Sequence, residues 1–145
     1  SGFRGSALRA IRLSLAKGNI TGTPAVLWSY NQDTPYVPSA LLHRGALYFH
    51  KVNQGMLTCI DVKTGKPHYS IQRLEGINTV YASPVGVADR IYLTGREGTT
   101  LVIKHGPKFG IIATNTLDDK IDASPVIVGD ELFLRGHQYL YCIAE

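Results

Sequence analysis

Cys59-Ile60-Asp61-Val62-Lys63-Thr64-Gly65-Lys66-Pro67-His68-Tyr69 is the stretch on which the fold reading turns. Met56, Leu57 and Thr58 lead into it and Ser70 and Ile71 leave it, so it reads as a strand, a turn at Lys63-Thr64-Gly65-Lys66 and a second strand. Taken alone, its Asp, Lys pair, Thr and His resemble a polar site. The neighbouring sequence gives it a structural meaning instead, because partial copies keep the strands and turn while losing the polar residues.

Working outward, Val37-Pro38-Ser39-Ala40-Leu41-Leu42, the turn His43-Arg44-Gly45 and Ala46-Leu47-Tyr48-Phe49-His50 precede the hairpin. The same parts return as Tyr81-Ala82-Ser83-Pro84-Val85-Gly86-Val87, Ala88-Asp89-Arg90 and Ile91-Tyr92-Leu93-Thr94, followed by Thr100–Lys104 and Gly110–Thr114. They return again from Asp122-Ala123-Ser124-Pro125-Val126 through Leu132-Phe133-Leu134 to Tyr139-Leu140-Tyr141-Cys142-Ile143. Ser39, Ser83 and Ser124 are equivalent, as are Leu47, Ile91 and Leu132, and each set steps by 44 and then 41 residues. A period of about 40–45 residues with four short strands is that of a β-propeller blade.

The expected fold is all-β: a partial β-propeller of four-stranded antiparallel blades, with about two full blades and two split part-blades. Residues 1–24 form an N-terminal arm with a possible strand, since Leu8–Leu15 alternates as a strand does but also suits one helix face. Residues 25–145 hold the repeats: an outer strand at 25–30, blades at 37–73 and 81–115, and a three-stranded part-blade at 123–144. A ring would close if strand 25–30 paired with the C-terminal three.

Composition narrows the partners. The chain of 145 residues is 44% hydrophobic and carries a net charge of +4, but Arg4, Arg9, Arg12 and Lys17 stand without an acid in residues 1–32, and the remainder balances. Four cations without interleaved aromatics do not make a nucleic-acid surface, so no nucleic acid is expected. No apolar run approaches the roughly 18 residues of a membrane span, and the N-terminus has no signal-peptide pattern, so no membrane insertion is expected. Cys59 and Cys142 occupy similar tetrads and are expected to be free, buried thiols.

Cys59–Tyr69 resembles the A-x-D-x-x-T-G-x-x-x-W signature of the PQQ-like (quinoprotein-type, BamB-like) propeller repeat family, with Cys59 for Ala, Tyr69 for Trp, and Asp61, Thr64 and Gly65 intact. Leu27-Trp28-Ser29-Tyr30 is similar to the end of a preceding copy. The resemblance covers about residues 25–145 and implies a structural role for Asp61, Thr64, Gly65, Tyr69 and Trp28: the first three hold the turn and the aromatic rings pack between blades. It also implies a periplasmic or secreted location. The second copy departs from the signature at Lys104-His105-Gly106-Pro107-Lys108, so its turn must be held otherwise.

No catalytic, cofactor or metal residue is assigned. Asp89, Asp118, Asp119, Asp130 and Glu131 read as solvated turn residues. Histidines 43, 50, 68, 105 and 137 are dispersed, and the recurring serines read as backbone hydrogen-bonding groups rather than a nucleophile. Tyr48, Tyr92 and Phe133 read as core, while Tyr30, Tyr36 and Gln54 are candidates for a binding face. The resulting expectation is a non-catalytic protein-binding or scaffold module without a cofactor. It would be the C-terminal part of a larger propeller or a self-associating fragment, binding a protein partner or a second copy through open blade edges. The alternative is the C-terminal segment of a PQQ-dependent quinoprotein dehydrogenase.

Overall fold

In a computed structural model, which describes residues 5–144, the described chain is built of short antiparallel strands in four sheets. β1 (Leu8–Ile11) and β2 (Val26–Tyr30) form a two-stranded sheet. β3 (Leu41–His43), β4 (Ala46–His50), β5 (Met56–Asp61) and β6 (Pro67–Arg73) form the first blade in that order. β7 (Val85–Val87), β8 (Arg90–Thr94), β9 (Thr99–Lys104) and β10 (Ile111–Thr116) form the second, and β11 (Val126–Val128), β12 (Glu131–Arg135) and β13 (Leu140–Ile143) form the third. The innermost strands are only three residues long, shorter than the apolar runs around Ser39, Ser83 and Ser124 suggest.

Register repeats as strictly as the sequence. Leu41, Tyr48 and Cys59 lie side by side across the first blade, Val85, Tyr92 and Val102 across the second, and Val126, Phe133 and Cys142 across the third. The opposite faces carry Leu47 beside Ile60, Ile91 beside Ile103, and Leu132 beside Ile143. Directly opposed residues share a face because side chains alternate along a strand.

The core lies between sheets. Tyr48, Leu57 and Cys59 of the first blade meet Ile91, Leu93, Leu101 and Ile103 of the second, all essentially inaccessible to solvent. Leu74, Ile77 and Val80, in the connection between β6 and β7, complete this cluster. Each such aliphatic side chain contributes about 1.5–3 kcal/mol by leaving water. Phe49 and Ile60, on the other face of the first blade, are also buried, and Tyr30 of β2 packs edge-on against Phe49 at 5.6 Å.

The N-terminal segment settles as a strand followed by a single 3-10 turn at Leu13–Leu15, not as an amphipathic helix. Pairing with β2 selects the alternating pattern, and Leu13 is left 82% exposed. This same pairing leaves the condition for ring closure unmet among the described residues. β2 takes β1 as its partner and has no hydrogen-bonded contact with β11, β12 or β13 among the described residues. Among the described residues, no helix is long and apolar enough to cross a membrane.

Candidate functional site

The Asp61–Tyr69 segment is a turn closed by its own polar groups. Asp61 Oδ1 accepts from the amides of Lys63 (3.1 Å) and Thr64 (2.8 Å) and from the Thr64 hydroxyl (2.8 Å), and these bonds hold its carboxyl below the usual range. Gly65 follows at φ 68°, a left-handed conformation that glycine adopts without strain. Its bare α-carbon faces the Trp28 ring so closely that a Cβ would lie 2.6 Å from it. Trp28 Nε1 donates to the Val62 carbonyl at 2.8 Å, so the two-stranded sheet is fastened to the first blade through this turn. Trp28, Asp61, Thr64 and Gly65 thus come together in one place.

Tyr69 points to the other seam, where its ring meets Phe109 edge-on at 5.8 Å. Its hydroxyl is enclosed beside the Cys59 thiol, and burial pushes the Tyr69 phenol up. Burial likewise raises Cys59 to about 11 and Tyr48 to about 12, so neither is an activated nucleophile. The Tyr48 hydroxyl bonds to His105 Nδ1 at 2.8 Å and accepts from the Gly106 amide at 3.0 Å. This explains how the second blade holds a turn that lacks Asp and Thr. Tyr48 on the neighbouring blade supplies the anchor, helped by a bond from the His105 amide to the Asp89 carbonyl at 2.7 Å. His43 packs edge-on against His105 at 5.2 Å. Burial first, and the nearby His43 and Arg44 second, lower the His105 pKa.

The recurring serines form a ladder between blades. The Ser39 amide donates to Ser83 Oγ, and the Ser83 amide donates to Ser124 Oγ, both at 2.9 Å. Asp119 departs from its expected solvated role. Only 7% exposed, it accepts from the amides of His137 (3.1 Å), Gln138 (3.0 Å) and Tyr139 (3.2 Å) and from the Tyr141 hydroxyl (3.3 Å). Burial works against its charge, but the amides of Gln138 and Tyr139 prevail and lower its pKa. These partners lie 18–22 residues away, so no local sequence signal marks the clamp.

The face candidates separate. Tyr36 and Gln54 are exposed, and a bridge between Pro35 and Val52 draws their loops together. Tyr30 is half-buried between β2 and Phe49 and does not join them. Both cysteines are free, with Cys59 buried as expected and Cys142 exposed against expectation. The reason is position: among the described residues no sheet covers the outer face of the third blade. Among the described residues, no group of three or more His, Cys, Asp or Glu side chains is arranged to hold a metal ion.

Exposed apolar residues gather on the two end sheets of the described chain. The outer face of the third blade carries Val126, Val128 and Leu140, 54–70% exposed, and at the other end of the arc Leu27 of β2 is 48% exposed. Between the second and third blades lies a groove of about 1050 Å3, with Tyr92, Val102, Ala113, Leu132 and Ile143 in its walls.

No protein-family model and no curated protein matches the chain. Solved structures do match it. BamB from Moraxella catarrhalis superposes with a TM-score of 0.72 over 97% of this chain and 40% of its own, at 17% identity. The chain has the all-β fold of β-propeller blades. The computationally designed Ika4 protein superposes with a TM-score of 0.66, over 84% of this chain and 74% of its own, at 10% identity. A europium-containing methanol dehydrogenase aligns with 67% of this chain and 20% of its own, at a TM-score of 0.48 and 17% identity. The chain spans less than half the length of that BamB. They form a propeller fragment with exposed hydrophobic residues along its edge sheets.

Proposed function

We propose that this chain is a non-catalytic protein-binding or scaffold module, docking a protein partner or a second copy through its open blade edges and end faces. The observation that carries this reading is the bare face of the third blade. Val126 and Val128 sit there in the same register as Val85, which faces the open seam, and as Leu41, which packs against the buried core. Contiguous exposed apolar residues on a sheet face mark an interaction surface. The polar residues that a catalytic reading would recruit are engaged in structural bonds: Asp61 and Thr64 in a turn, Ser83 and Ser124 in the ladder, and Asp119 in a loop clamp. The family resemblance supports a periplasmic or secreted location.

Light scattering over a rising concentration series tests the self-association arm. A mass that climbs above the monomer is expected, and a strictly monomeric mass throughout removes that arm. Incubation with pyrroloquinoline quinone and calcium tests the non-catalytic arm. Saturable chromophore binding with dye-linked alcohol oxidation would overturn it.

A further inference from the structure

Three hairpin ends meet at the seam between the first and second blades, both of them four-stranded. The β3–β4 end brings Arg44, the β5–β6 end brings Asp61, Lys63 and His68, and the β9–β10 end brings His105 and Gly106. Between them lies a cavity of about 320 Å3, whose walls carry Arg44, Lys63, His68 and His105 against one carboxylate, Asp61. That carboxylate is turned to its own loop, where Oδ1 accepts three bonds from Lys63 and Thr64. Among the described residues, neither Arg44 nor Lys63 makes an ion pair.

Two of these groups are held in place from the neighbouring blade. Arg44 donates to the Ala88 carbonyl at 3.0 Å, which leaves its remaining N–H groups for a ligand. His105 is fixed through Nδ1 by the Tyr48 hydroxyl at 2.8 Å and by the His43 ring edge-on at 5.2 Å, which leaves Nε2. Like charges crowded in this way repel one another, and an anion among them removes that cost. The crowding is felt at His105: after burial, His43, Arg44 and His68 each lower its pKa, opposed by Asp89.

We propose that this cavity binds a small dianion of the phosphate class, with the Arg44 guanidinium, the Lys63 ammonium and the imidazoles of His68 and His105 as its donors. A tetrahedral oxyanion offers acceptors in several directions at once, which suits donors arriving from three hairpin ends, and a guanidinium pairs with two of its oxygens. The volume stands at the small end of ligand sites, enough for the ion or a compact monoester of it. Because the donors come from both blades, the bound anion ties hairpin ends across the seam. This site goes beyond the binding-module reading and does not depend on it.

The test is inorganic phosphate titrated into the full chain at constant ionic strength and followed by the imidazole proton resonances. Saturable shifts are expected at His68 and His105 and none at His50 or His137, and the pKa of His105 should rise, since a neighbouring anion favours imidazolium. Arg44→Gln and Lys63→Gln should each weaken binding about threefold or more while melting within a few degrees of the parent; Lys120→Gln, on the connection to the third blade, should leave it unchanged. With sulfate, whose charge stays constant, binding should tighten from about pH 8 to about pH 6 as the imidazoles take up protons. Tighter binding of glycerol phosphate than of inorganic phosphate would identify the occupant as a phosphate monoester, and the reverse order as the free ion. Shifts that never saturate, binding indifferent to Arg44→Gln, or equal weakening by Lys120→Gln would overturn the proposal.

Discussion

At Gly65 two constraints coincide: a φ of 68° and a Trp28 ring lying where a side chain would begin. Gly65→Ala should therefore cost about 2 kcal/mol or more, from left-handed strain added to overpacking, and lower the melting temperature by roughly 6–10 °C in a thermal scan. His50 makes a different prediction. It lies on the Tyr48 face of β4, fully buried, and burial lowers its pKa to about 4, outweighing the opposing backbone hydrogen bond at Gln54. The folded protein holds it neutral while the unfolded chain protonates near pH 6.5. Its contribution is thus complete above pH 6.5 and is lost as the pH falls toward 4, a loss of about 3 kcal/mol. Denaturant titrations at stepped pH should show this decline, and His50→Leu should flatten it.

Among the elements, the loop between β12 and β13 depends on one side chain from outside its blade's strands. Asp119 accepts three consecutive amides, at His137, Gln138 and Tyr139. Asp119→Ala should speed hydrogen exchange at those amides about tenfold or more while the amides of β4 and β5 stay protected. Uniform acceleration across the chain would instead show that the clamp holds the whole fold. The sequence displays Asp119 as one of several acids in a polar connection, since nothing near it reveals partners 18–22 residues on. The turn at Asp61–Gly65 was readable because its partners lie within three residues, with Trp28 as the one long-range addition.

For the molecule as a whole, the two end surfaces are unlike: Leu27 with Arg9 on the two-stranded sheet, and Val126, Val128 and Leu140 on the third blade. Association through unlike faces is head-to-tail, with one intact interface requiring one face of each kind. Leu27→Arg and Val128→Arg should each reduce the associated mass alone, while an equimolar mixture should recover a two-copy species. Failure of the mixture to recover it would exclude head-to-tail pairing.

The sequence by itself determined the strand periodicity, the blade register and the turn chemistry, because these follow from alternation along a strand and from bonds between near neighbours. The recurrence of Ser39, Ser83 and Ser124 marked them as backbone hydrogen-bonding groups, while their pairing into a ladder between blades spans 41 and 44 residues and came from the structure. Only the tertiary structure decided that β2 pairs with β1, that Asp119 is a clamp rather than a solvated acid, that Cys142 is exposed, and that the second seam is open. Each of these depends on what lies across a sheet face or on a strand's far edge. Such neighbours are distant in the chain, and a repeat pattern shared by every blade leaves them undetermined.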